Sequence, residues 1–238
     1  MPIAQKDKPY NPPADYRRLA GTYSFWEYLV FANQLQRCRL SFLSELEQSK
    51  NLLLLGDGDG RFSTQLLRTL PGIQISSLDA SAPLLQAAKK RRKKNGILEN
   101  GIRAINEDVL NWKGDGQKYD SVVAQFFFDS FEGNELETIA DQLQNVLNPG
   151  GKLLVSEFNI PRDTRIGNLR ARITLTVLYT VFGVLTDLKT KRLTDHTPIL
   201  CGEGFILKKT KFFSQKILAA QVFELPGKRN KNIPNPIC

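Results

Sequence analysis

At 238 residues, with 41% hydrophobic and 24% charged side chains, the chain has the make-up of a soluble α/β domain with added helices and a substantial core. Three scattered cysteines, Cys38, Cys201 and Cys238, argue against a disulfide framework or a zinc site, and one histidine, His196, argues against a histidine-rich metal centre. The net charge of +9 leaves open an anionic partner, a nucleic acid or a membrane surface.

The opening residues, Met-Pro-Ile-Ala-Gln-Lys-Asp-Lys-Pro, hold no apolar core of a signal peptide, so a cytoplasmic protein is expected. Proline-rich stretches at 1–13 and 226–238 read as tails of low order. Between them, Tyr23, Trp26, Leu29, Val30 and Leu35 fall at helical spacing, as the apolar stripe of a docking helix does. Residues 52–55 are four leucines, a run that suits a strand buried on both faces of a parallel sheet. They lead into Gly56, Gly58 and Gly60, where the chain can turn sharply and lie close to a ligand. A helix follows from Arg61 to Leu70. The glycine spacing matches neither G-x-G-x-x-G nor a P-loop, and Asp57 and Asp59 within the turn would repel a pyrophosphate. They suit a ligand carrying a positive group, although a turn serving only the fold is the plainer alternative.

Ile73 to Leu78 is a second strand ending at Asp79, 19 residues beyond Gly60, where a carboxylate can accept ribose hydroxyls. Ser81 and Pro83 open a second helix, which ends in the basic run Lys89-Lys90-Arg91-Arg92-Lys93-Lys94. Such a run is most simply a solvated helix end that complements the dipole; phosphate or membrane attraction is the sharper alternative. Ile102 to Ile105 is a third strand, placing Asp108 at the carboxyl edge of the sheet, and Tyr119 to Ala124 is a fourth, running into Gln125-Phe126-Phe127-Phe128-Asp129. Asn148-Pro149-Gly150-Gly151 is a turn before a fifth strand, Lys152 to Phe158.

The glycine turn at 56, 58 and 60, Asp79, Asp108 and the Asn148-Pro149-Gly150-Gly151 turn, in this order, resemble the class I S-adenosylmethionine-dependent methyltransferases over about residues 48–225. The segment from Asp15 to Arg39 resembles the entry helices of quinone-biosynthesis C-methyltransferases and their small-molecule relatives. The resemblance implies a doubly wound, mostly parallel seven-stranded sheet with helices on both faces and a C-terminal antiparallel hairpin. It implies three regions: a tail and lid helices over 1–47, a methyltransferase domain over 48–225, and a tail over 226–238. It also implies S-adenosylmethionine as cofactor, held by Gly56, Asp57, Gly58, Asp59, Gly60, Asp79, Ala80, Asp108, Val109 and Gln125, with Tyr16 in the lid. Asp79 would meet the ribose, Asp108 and the Val109 amide the adenine edge, and Gln125 the methionine end. The chain departs from the pattern at Leu54, where many members carry an acid.

An insertion at about 165–188 includes Ile173 to Thr186, 14 residues without a formal charge, too short to span a bilayer. It reads as a buried helix whose apolar wall would suit a small hydrophobic acceptor. Beyond it, Asp195 can cap a short helix from His196 to Cys201, and 205–211 with 217–225 reads as the hairpin. Methyl transfer needs a base only for some acceptors; Asp129, Glu157 and His196 are the candidates. Asp129 as a helix cap, Glu157 in a core ion pair and His196 as a first-turn residue are their structural alternatives. Methyl transfer to a small molecule is therefore the leading expectation, with peripheral membrane contact as a further partner and no resident metal. A non-catalytic cofactor-binding protein and an RNA-directed enzyme are the alternatives. The latter is disfavoured because an N/D-P-P-aromatic motif is absent after the fourth strand.

Overall fold

The computed structural model describes residues 33–159, 194–214 and 216–227. The expected entry helices before residue 33, with Tyr16, and the inserted helix at 165–188 lie outside these residues. Seven strands form one sheet: β1 (Asn51–Leu55), β2 (Gln74–Leu78), β3 (Ile102–Ile105), β4 (Tyr119–Gln125), β5 (Leu147–Phe158), β6 (Ile206–Phe213) and β7 (Leu218–Glu224). Their order is β3-β2-β1-β4-β5-β7-β6. The first five pair in parallel, and β7 runs antiparallel to both β5 and β6. This is the expected doubly wound sheet with its terminal hairpin.

The four leucines of β1 are completely buried because they divide between two cores. Leu53 and Leu55 join Val122, Ala124, Leu153 and Val155 on one face, whereas Leu52 and Leu54 join Val123, Leu154 and Val222 on the other. Helix α4 (Gly133–Val146) covers the first face with Leu136, Ile139, Ala140 and Leu143. Its start is fixed where the Glu132 amide donates to Glu135 Oε2 at 2.9 Å. Helix α5 (His196–Gly202) packs beside it, and its Asp195 cap accepts the Thr197 amide at 3.1 Å, as the sequence suggests. On the opposite face, α2 (Arg61–Thr69) buries Phe62, Leu66 and Leu67. Next to it lies α3 (Ala82–Lys94), capped by Ser81. Helix α1 (Asn33–Leu40) seats Leu35 and Cys38 against Leu218 and Ala220 of β7.

The Asn-Pro-Gly-Gly turn is absorbed into β5. Tyr119 pairs with Leu147 and Ser121 with Lys152, so two steps along β4 match five along β5 and the excess bulges outward. The bulge is held where Asn148 Nδ2 donates to Asp120 Oδ1 at 2.9 Å and the Gly150 amide donates to Leu225 O at 2.7 Å. Cys38 is a free buried thiol and Cys201 is disulfide-bonded, a bond that three scattered cysteines do not announce. No described helix is long and apolar enough to cross a membrane. The sheet ends on one side at β3, only four residues long, and on the other at β6, where Lys208, Lys209 and Lys211 are exposed.

The two helices after β1 and β2 meet at Gly60, where a Cβ would lie 2.6 Å from the Ala88 backbone and φ is +82°. Gly60→Ala combines left-handed strain with an overpacked helix contact, so it is predicted to cost about 2–5 kcal/mol of stability in urea melts.

Candidate functional site

The strand order reverses between β1 and β4, since β1 connects toward β2 on one side while β4 lies on its other side. The crevice outside their carboxyl ends is where an open α/β sheet binds ligands. The turn 56–60 enters it from β1, and residues 125–131 enter it from β4.

Three glycines of the turn adopt positive φ, at 59°, 60° and 82°, but they serve different ends. A Cβ on Gly56 would strike the Phe127 ring at 2.5 Å, and one on Gly60 would strike α3. At Gly58 a Cβ would meet nothing within 4 Å among the described residues, so this backbone faces space that they leave open. Asp79 closes one side of that space. Its carboxylate accepts the Ser81 amide at 2.8 Å, and the nearby Gly58 amide favours its charged form. Burial pushes Asp79 up to about 6, against the pull of these two amides. Ala80 beside it is exposed. Asn106, after β3, donates to Asp79 O at 3.0 Å. Asp108 is exposed and accepts the Leu110 amide at 3.0 Å, opening a turn that buries Val109 and Trp112.

The acids inside the turn face cations of the protein. Asp57 is buried; Oδ1 accepts the Ser63 amide at the start of α2, and Oδ2 lies 3.5 Å from Arg92 Nη1. Burial pushes it up to about 6. Asp59 Oδ2 sits between Arg61 Nε at 3.2 Å and Arg91 Nη2 at 2.5 Å. Gln125 ends β4 one residue beyond the Leu55–Ala124 pair, which places it beside Gly56. It is 7% exposed, and its Oε1 has no partner among the described residues.

Asp129, Glu157 and His196 gather around Phe128. Glu157 Oε1 accepts the amides of Phe127 and Phe128 at 2.8 and 2.7 Å, fixing the short 3₁₀ turn Phe128–Ser130 after β4, while Oε2 is buried without a partner. Burial, then the neighbouring Asp129 charge, hold Glu157 well above the usual carboxylate range. Burial pushes Asp129 up to about 6, and the helix cap that follows is Glu132 rather than Asp129. His196 packs its ring on Phe128 and Phe223, with Nε2 2.7 Å from Gln221 Oε1, and desolvation lowers its pKa. Among the described residues no arginine meets Glu157, whose partners are backbone amides. Sequence reading passes over Arg91, Arg92, Asn106 and Phe127. The two arginines stand inside a charge block, and only the helix phase separates them from their lysine neighbours.

Residues 52–151 match the family model described as a methyltransferase domain. The chain is 30% identical over 140 residues to a demethylmenaquinone methyltransferase of Thermus thermophilus, covering 58% of this chain and 61% of that relative. It is 28% identical over 144 residues to malonyl-[acyl-carrier protein] O-methyltransferase 2 of Ilyobacter polytropus, covering 60% and 52%. An O-methyltransferase family protein from Burkholderia thailandensis shares the fold, with a TM-score of 0.68 at 16% identity over 90% of this chain and 62% of that one. The match makes residues 52–151 similar to a methyltransferase domain, and the sheet order agrees with the fold of the methyltransferases it resembles. The chain spans between about half and three-fifths of the length of these two curated relatives.

Glu157 and Asp129 bind their protons more tightly folded than unfolded. Their contribution to stability is therefore full below the unfolded values of 4.5 and 3.8 and declines as pH rises toward the folded ones. Glu157→Gln retains an acceptor for both amides, so urea melts between pH 4.5 and 8 are predicted to show a flatter decline than wild type. Glu157→Leu strands two buried N–H groups and is predicted to cost about 1–3 kcal/mol for each.

Proposed function

We propose that the protein transfers a methyl group from S-adenosylmethionine to a small, apolar acceptor. The observation that carries the cofactor part is the open space at Gly58 among the described residues, beside the Asp79 carboxylate at the point where the strand order reverses. The residues fit the group. Asp79 would accept ribose hydroxyls, with Ala80 at its side, and Asp108 and Val109, which follow β3, would meet the adenine. The ammonium of the methionine part needs an acceptor. Leu54 has none, and Asp57 and Asp59 are engaged by arginines, which leaves Gln125 Oε1 as a buried acceptor still in need of a donor.

Bound there, the cofactor supplies a methyl already activated by its sulfonium, and the chain supplies alignment and a dry surrounding. Phe126 and Phe158 pack at 5.2 Å and Phe127 and Phe131 at 5.1 Å between ring centroids. All four are only partly buried at the carboxyl edge, an apolar margin that suits an aromatic or lipid-like acceptor. Two curated relatives named for demethylmenaquinone and for malonyl-[acyl-carrier protein] support a small-molecule or carrier-borne acceptor. If the acceptor must lose a proton, Asp129 is the better base, because Glu157 is occupied with two amides and burial disfavours its charged form.

Calorimetric titration with S-adenosylmethionine is expected to show binding that weakens below about pH 6, as Asp79 takes up a proton. Asp79→Ala is expected to lose most of this affinity. Gly58→Ala is expected to cost about 1–2 kcal/mol of stability through its positive φ while abolishing cofactor binding, because its Cβ occupies the open space. Failure of the wild type to bind would refute the reading. Turnover confined to small, highly charged acceptors in a panel assay would refute the apolar acceptor alone.

A further inference from the structure

The basic run at the end of α3 divides by helix phase. Lys89, Lys90, Lys93 and Lys94 are exposed, Arg92 is 3% exposed, and Arg91 is half-buried. Arg92 forks onto Glu99 at 2.9 and 3.1 Å and donates to Ser63 Oγ at 3.1 Å. Arg91 does something different. Its Nε donates to the backbone carbonyl of Asp59 at 2.9 Å, and its Nη2 donates to the Asp59 carboxylate at 2.5 Å. One planar guanidinium thus grips the main chain and the side chain of the residue between Gly58 and Gly60. Without that grip the glycines at 58 and 60 would leave this stretch of backbone free to take other conformations. The same helix begins beside the Ser81 amide that Asp79 accepts, so α3 touches the cofactor space at its start and fixes the turn from its last turns.

We propose that Arg91 is a positioning residue for the cofactor, holding the Gly58–Gly60 backbone in the conformation that receives the methionine part. The inference rests on the cofactor site set out above. Arg91 never touches the ligand; it acts through Asp59. The carboxylate of Asp59 keeps Arg61 when Arg91 is removed, so the fold survives a change that loosens the carbonyl. The four lysines point to solvent and take no part.

The test is S-adenosylmethionine affinity by calorimetry, with thermal melts alongside, on wild type, Arg91→Met, Arg91→Lys and a variant with Lys89, Lys90, Lys93 and Lys94 all changed to glutamine. Arg91→Met is expected to melt close to wild type, to raise Kd about tenfold, and to keep its kcat at saturating cofactor. Arg91→Lys keeps the charge but cannot hold both oxygens in one plane, and is expected to lose part of the same affinity. The lysine variant is expected to bind as wild type does. A folded Arg91→Met with unchanged Kd overturns the inference, as does an equal loss in the lysine variant, which would trace the effect to net charge. Salt-dependent binding of single-stranded RNA that falls equally on losing Arg91 or the lysines, with cofactor affinity intact, would assign the whole run to nucleic acid instead. Absence of cofactor binding by the wild type would refute the site itself, a result distinct from each of these.

Discussion

Everything at the site depends on β1 being buried on both faces and flanked by parallel neighbours on both sides. A strand so placed can leave the sheet only over its carboxyl edge, and the chain must then turn through left-handed conformations to start a helix on one face. The turn that satisfies this constraint exposes backbone at the one place where the strand order reverses. The binding surface is thus a by-product of how the sheet is wound, and side chains refine it.

Those refinements form two independent sets. On the β2 side, carboxylates and arginines close around the turn: Asp79 through amides, Asp57 and Asp59 through cations from α3 and α2. On the β5 side, a buried glutamate reaches across from one strand to collect the amides that follow the next. On the proposed function, the first set surrounds the cofactor. The second sets the aromatic margin where an acceptor would approach.

Much of this was legible because it is local. The leucine run, the spaced glycines, the acid after β2 and the cap before α5 each announce themselves within a few residues. What stayed hidden was non-local. Arg91 and Arg92 differ from the neighbouring lysines only in where α3 turns them, and Asp59 gives no sign that its partner lies 32 residues on. Glu157 reads as a candidate base or a core ion-pair partner until the β4–β5 register sets it beside Phe127 and Phe128. The Asn-Pro-Gly-Gly stretch has turn chemistry yet resides in a strand, since pairing at Leu147 and Lys152 on either side overrides local preference.

The two borders of the sheet have a bearing on how the protein behaves in a crowded solution. β3 offers four residues to an approaching strand, and β6 offers eight, studded with exposed lysines that a second copy would have to bring against its own. Brevity on one side and like-charge repulsion on the other both discourage edge-to-edge stacking. An edge strand carrying lysines is a poor template for a second copy, a property separate from the cofactor crevice.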